Sequence, residues 1–219
     1  MARQRSADYD ISVFINCPFD TNYKYLFDAL IFAVQDCGFI ARCASEIRDV
    51  SRGRIDKIFE IISECRFGIH DISRTELDAV SQLPRFNMPL ELGIFLAAKY
   101  FGNRSQQDKI CLVMDRDEHR YQKFCSDLKG YDIDTHNGDA RTAVIRVRDW
   151  LRTEGRQSAW LLPSGSRLFE RYEEFLRELP ALCDQLNLNS RELIFADYTK
   201  CCAAWLGDHP RDAERQSNG

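Results

Sequence analysis

The chain alternates short apolar runs with longer segments of helical spacing, and that alternation leaves few folds open. "DISVFIN" (10–16), "FIARCAS" (39–45), "RFGIHDIS" (66–73) and "KICLVMD" (109–115) each read as a buried strand bounded by polar residues. Between the first two, Leu26, Phe27, Leu30, Ile31 and Val34 recur at helical spacing, and Gly38 is a natural stop. Ile55, Ile58, Phe59, Ile62 and Cys65 form a second helical stripe, and "NMPLELGIFLAAKYFG" (87–102) is a third helix. "EHRYQKFCSDLKG" reads as helical and "YDIDTH" as a short edge strand, and Val144, Ile145, Val147, Trp150 and Leu151 mark a further helix.

Strand–helix alternation predicts an α/β fold: a parallel sheet with helices on both faces, joined by right-handed crossovers. With about five strands visible, the flavodoxin-like order 2-1-3-4-5 is expected rather than a larger Rossmann sheet. At 219 residues, 44% hydrophobic and 29% charged, the chain can bury one good core. It divides into an α/β domain over 1–153, a helical extension over 154–206 beginning with a linker, and a disordered tail over 207–219. Leu168, Phe169, Tyr172, Phe175, Leu176 and Leu179 stripe one helix of the extension, ending near Pro180. Ile194, Tyr198, Cys201, Cys202 and Trp205 stripe the other. A domain whose sheet faces are already covered leaves these stripes as surplus surface, so self-association into a homo-oligomer is expected.

A net charge of -4 gives no basic footprint and argues against duplex nucleic acid. No apolar run approaches the roughly 20 residues of a membrane span, and "MARQRSADYD" has no apolar signal core. The nine cysteines are odd in number, contain no CxxC and lie mostly in apolar stretches. They read as reduced thiols of a cytoplasmic protein, with neither a disulfide framework nor a metal site.

In an open parallel sheet, ligands bind beyond the carboxyl ends of the strands where strand order reverses. Here that point lies between the first and third strands, whose exits are "NCPFD" and "HDISR". Asn16, Asp20, Asp71 and Glu91 therefore converge on one edge. Glu91 falls in the first turn of its helix after a plausible N-cap at Asn87, with Pro89 between them. The helix dipole should keep it ionised. An ionised carboxylate in a half-apolar cleft suits a reaction that builds positive charge, such as cleavage of a glycosidic bond. The simpler alternative is a first-turn glutamate that only complements the dipole.

"ISVFINCPFD", "RGRIDKIFEIISECRFGIHDIS" and "NMPLELGIFLAA" resemble the superfamily of nucleoside 2-deoxyribosyltransferases and TIR-type nucleotide hydrolases, over roughly residues 10–150. The resemblance implies that Glu91, in "PLELG", is the catalytic carboxylate. It also implies that the acidic or hydroxyl motif at the end of the third strand, Asp71 and Ser73 in "HDIS", serves the site. The chain departs from the family pattern before the glutamate, where "LPRFNMP" replaces an acidic or glycine-rich lead-in. Arg85 only donates hydrogen bonds, so it is a poor grip for a sugar hydroxyl as acceptor and a good one for phosphate. "SRGR" adds Arg52 and Arg54, whose default is solvated loop charge. A phosphorylated ligand such as NAD is thereby favoured over a free nucleoside.

The remaining polar groups divide. His70 precedes Asp71 on a strand, so their side chains point to opposite faces, and His70 reads first as a core histidine rather than an acid–base group. Asp127 reads as part of a helix end capped at Gly130 rather than a cleft residue. Cys17 has no base beside it in the sequence and is expected only to line the site. Phe19 and Tyr23 can stack on a base, although aromatics at a helix entry need no ligand.

Two functions of different class follow. In the first, an enzyme cleaves or transfers at the N-glycosidic bond of a nucleotide, with NAD the leading substrate and no cofactor. Glu91 stabilises or traps the ribosyl cation, Asp71 positions the ribose or base, Asn16 and Asp20 line the pocket, and Arg85 holds phosphate. The resemblance further implies an NAD-depleting defence or toxin-like role. In the second, the same cleft senses a nucleotide without turnover and the helical extension transmits the state. A deoxyribosyltransferase acting on free nucleosides is a third possibility within the enzyme class.

Overall fold

A computed structural model describes residues 7–77, 82–155 and 162–211. Its centre is β1 (Ser12–Asn16), an apolar run buried along its whole length because it is paired on both sides. β2 (Ile40–Arg42) lies on one flank and β3 (Phe67–Asp71) on the other, followed by β4 (Ile110–Asp115) and the two-residue β5 (Asp134–Thr135). All five are parallel, in the order β2-β1-β3-β4-β5. The order reverses between β1 and β3, as the alternation predicts.

Among the described residues, seven helices connect and cover these strands: α1 (Lys24–Asp36), α2 (Arg54–Ser63), α3 (Asn87–Phe101), the short α4 (Arg104–Gln107), α5 (Ala140–Glu154), α6 (Gly165–Gln185) and α7 (Phe195–Asp208). Gly38 ends the α1 turn at φ +84°, a conformation open to glycine. The stretch expected as one helix at 118–130 instead forms two 3-10 turns, Arg120–Lys123 and Ser126–Leu128. Its apolar residues are too sparse for a helical stripe, and Tyr121 and Leu128 alone are buried there.

Period-two alternation sorts the strand residues between two layers. Val13, Ile15, Phe67, Ile69, Leu112 and Met114 face α1 and α5. Phe14 faces the other way, onto Ile58, Ile61 and Ile62 of α2 and Phe95 of α3. Met88 and Leu92 of α3 pack with Val113, Tyr121 and Leu128.

The C-terminal helices belong to the first layer. Leu168, Phe175, Tyr198, Cys202 and Trp205 are buried in the same apolar cluster as α1 and α5. Phe32 of α1 stacks on Phe175 of α6 at 5.2 Å. Arg171 of α6 donates two hydrogen bonds to Asp36 of α1, at 2.9 and 3.1 Å. Most of both stripes is thus covered within the chain, while Leu176 and Ile194 stay exposed. α6 also runs past Pro180 to Gln185, held by the burial of Leu179 and Cys183 on either side of the proline.

The packed chain extends beyond the expected tail boundary. α7 includes Asp208, His209 stacks on Trp205 at 4.2 Å, and Arg211 donates to the Asp36 carbonyl at 3.0 Å. Residues 156–161 of the expected linker and 212–219 of the expected tail lie outside the described residues. Among the described residues no helix is long and apolar enough to cross a membrane.

Candidate active site at the switch point

The exits of β1 and β3 are tied together before any ligand is considered. The Asn16 side-chain amide donates to the Met88 carbonyl at 2.8 Å and lies 3.0 Å from His70 Nδ1. Because the Met88 carbonyl can only accept, the nitrogen of the amide is the atom facing both partners. His70 Nδ1 is then the acceptor, and its proton resides on Nε2. Burial pushes the His70 pKa down to about 3, so the ring is neutral, edge-on to Phe95 at 4.9 Å. His70 is a core histidine. Asn16 is a brace that seats the first turn of α3 on the sheet edge.

Glu91 owes its position to the same seating. Phe95, one turn further along α3, packs against Gly68 of β3, where an added Cβ would approach its ring to 2.8 Å. Residues four apart share a helix face. Docking Phe95 on the sheet therefore aims Glu91 at the sheet edge, and it is only 3% exposed.

The capping expected at Asn87 is absent. Phe86 occupies the N-cap without a side-chain bond, Asn87 is exposed as the first helical residue, and Glu91 falls beyond the first turn. The dipole is weak there, and burial prevails. It pushes the Glu91 pKa up to about 7, with Arg54 pulling the other way. The expectation of a dipole-stabilised, fully ionised carboxylate is corrected accordingly.

Arg54, the first residue of α2, places Nη2 at 4.0 Å from Glu91 Oε1. Its guanidinium also lies 6.0 Å from the centre of the Phe19 ring. Glu91 Oε2 is buried without a hydrogen-bond partner among the described residues. Phe19, Arg54 and Glu91 thus form one line from the β1–α1 loop to α3. Arg52 does not join it, being held by Glu60 at 2.5 Å.

Asp71 occupies the opposite face of the sheet edge, as strand alternation requires. Its Oδ1 accepts the Ser73 backbone N–H at 2.8 Å, the Tyr23 hydroxyl donates to Oδ2, and His136 Nε2 lies 2.9 Å from Oδ2. Burial opposes ionisation, but His136, Ser73 and Tyr23 outweigh it and hold the carboxyl below its usual range. His136 Nδ1 accepts the Gly138 N–H at 3.0 Å, which leaves its proton on Nε2, toward Asp71. Asp71 is fully buried and engaged by protein groups. Ser73 is buried too, its carbonyl gripped by Arg120 at 2.7 Å. Tyr23 is therefore an Asp71 partner, not a free stacking surface.

At the mouth, Asp20 faces Arg74 at 3.1 Å and Arg85 at 3.8 Å. These are the exits of β1 and β3 and the entry of α3, brought together as expected. Cys17 lies among the acids; burial first, then the charges of Asp71, Cys43, Glu91 and Asp20, raise its thiol pKa and keep it protonated. It lines the site and is not an activated nucleophile. Asp127 is exposed in a 3-10 turn.

Sequence reasoning missed His136 and underrated Arg54. His136 directly follows β5, so the rule that ligand-side groups gather at strand exits could have found it. The reach of Arg54 depends on how α2 packs against α3, which no local pattern displays. Among the described residues, no group of three or more His, Cys, Asp and Glu is arranged to hold a metal ion. Comparisons of the chain with known protein families, curated proteins and solved structures find no match.

Proposed function

We propose that the protein cleaves, or transfers at, the N-glycosidic bond of a nucleotide, with NAD the leading substrate and Glu91 the catalytic carboxylate. One observation carries this reading: Glu91 is buried at the switch point with one oxygen unpartnered among the described residues and a single cation 4.0 Å from the other. A carboxylate with a pKa of about 7 exchanges its proton readily at neutral pH. A cationic nicotinamide–ribose group brought beside it favours the ionised form, so substrate binding itself charges the residue.

In the reaction, the bond between the anomeric carbon and the ring nitrogen breaks, and its electron pair leaves with neutral nicotinamide. The ribosyl cation that develops is stabilised or captured by Glu91. Water, or a second base in a transfer, then forms the new bond at the anomeric carbon, and the water proton passes to the carboxylate or solvent. Arg74 and Arg85 supply phosphate donors at the mouth, in exchange for Asp20. Asp71 and Asn16 act through the protein, Asp71 by fixing Tyr23 and His136, Asn16 by fixing α3.

Two basic side chains at the mouth favour a phosphorylated ligand over the free nucleosides used by a deoxyribosyltransferase. The non-catalytic sensing function draws on the near-complete burial of Glu91. An NAD-depleting defence or toxin-like role rests on the family resemblance alone. Incubation with a panel of nucleosides and nucleotides, followed by chromatography of released base, separates these functions. Release of nicotinamide from NAD supports the hydrolase. Binding by calorimetry with no released base from any compound supports the sensor.

A further inference from the structure

A concavity adjoins the switch point. A cavity of ≈ 410 Å³ opens between the start of α1 and the segment leading into α7, lined by Phe19, Asp20, Lys24, Phe27, Arg191 and Phe195 among others. That volume falls within the roughly 300–1,000 Å³ of small-molecule sites.

The lining has two chemistries. One wall is aromatic. Phe19 meets Phe27 edge-to-face at 5.2 Å, and Phe27 stacks near-parallel with Phe195 at 6.1 Å. Phe19 is 43% exposed, an area that a planar ring laid on it would cover. The other part is charged, with Lys24 and Arg191 set among Asp20 and Asp28. Lys24 enters from α1, paired with Asp28 at 2.6 Å. Arg191 is exposed, and its guanidinium has no hydrogen-bond or ion-pair partner among the described residues. A flat ring surface beside Arg191, with Lys24 shared between Asp28 and an incoming anion, fits a ligand that carries an aromatic ring and an anion together.

The cavity and the groups around Glu91 share Phe19 and Asp20. Phe19 lines the cavity and also faces Arg54, which reaches Glu91. Asp20 lines the cavity and is the partner of Arg74 and Arg85. A single elongated ligand can therefore lie across Phe19 and Asp20 with one end in the cavity and the other toward Glu91. A phosphate crossing there would take Arg74 and Arg85 from Asp20.

We infer that this cavity holds the remote nucleoside-phosphate half of the dinucleotide whose scissile half meets Glu91, with its purine on Phe19 and Phe27 and its phosphate on Lys24 and Arg191. The assignment rests on the proposed glycosidic function for the other half of the ligand. It gives the C-terminal segment, through Arg191 and Phe195, a direct part in substrate recognition.

The test uses the full chain and AMP, which carries the remote half alone. Isothermal calorimetry should detect AMP binding to the wild type, and Arg191→Ala and Lys24→Ala should each weaken it about tenfold, the loss of one charge-assisted bond. Both side chains are at the surface, and unchanged melting temperatures would show that the variants fold. Adenosine, which lacks the phosphate, should be nearly indifferent to both changes. Glu91→Gln should leave AMP binding unaltered. No AMP binding, equal AMP binding by the two cavity variants and the wild type, or an equal loss in Glu91→Gln would overturn the inference. If no base is released from any nucleotide yet AMP binding follows Lys24 and Arg191, the glycosidic function fails and the cavity stands as a nucleotide site.

Discussion

The guanidinium of Arg54 lies 4.0 Å from the Glu91 carboxylate and is the cation that opposes its burial. Arg54 is more than half exposed and Glu91 is almost wholly buried, so the pair works across a steep change in solvation. Removing the cation leaves burial unopposed. In Arg54→Ala, the Glu91 pKa should rise above about 7. If the ionised carboxylate serves the reaction, the acid limb of the pH–rate profile should move to higher pH. Identical profiles for wild type and Arg54→Ala would separate this pair from catalysis.

The same carboxylate marks the stability of the fold. Its folded-state pKa is raised, so the native chain holds a proton that the unfolded chain gives up. The associated stability is fully present below the ordinary glutamate range and is lost as pH climbs through about 7. The loss is on the order of 3 kcal/mol. Glu91→Gln cannot titrate there, so its unfolding free energy should fall less than that of the wild type between pH 5 and 8 (roughly the interval set by the two pKa values). Denaturant melts at both ends of that range provide the comparison, and parallel losses would show that Glu91 titrates normally.

Gly68 sets the height of α3 above the sheet. A Cβ there would approach His70 Nε2 to 2.7 Å and the Phe95 ring to 2.8 Å, in a region with no open space. Gly68→Ala should destabilise the fold by about 1–3 kcal/mol. Because Phe95 and Glu91 share a helix face, activity should fall by more than the unfolded fraction explains. Thermal melts with rate measurements well below the transition separate the two effects.

Cutting the chain after Glu154 would remove α6 and α7 and expose the apolar faces of α1 and α5 that they cover. Each large apolar side chain returned to water is worth about 1.5–3 kcal/mol. The shortened chain should therefore lose its cooperative melt by circular dichroism. A stable, cooperative fragment would show that the α/β portion folds alone.

The strand order was legible because period-two runs, helical stripes and right-handed crossovers constrain a parallel sheet tightly. Asn16, Asp20, Asp71 and Glu91 came to the expected edge for the same reason. Their states were not legible. Whether Glu91 is governed by the dipole or by burial depends on the docking of Phe95 on Gly68, a contact between distant segments. Asp71 looked like a ligand group until Tyr23 and His136, far from it in sequence, closed around it. The apolar stripe of α7 was visible, but its covering partner α1 lies more than 150 residues away in the chain, and spacing alone names no partner.

The central claim is that Glu91 is the reacting carboxylate, and the turnover of Glu91→Gln on NAD tests it most directly. Glutamine keeps the size of the side chain and removes the charge that would meet the ribosyl cation. Nicotinamide release, followed by chromatography at neutral pH, should fall by about two orders of magnitude or more, the range for losing a dominant electrostatic group. The melting temperature should stay at or above that of the wild type, because glutamine has no charge to bury. A variant that releases nicotinamide at the wild-type rate would contradict the account.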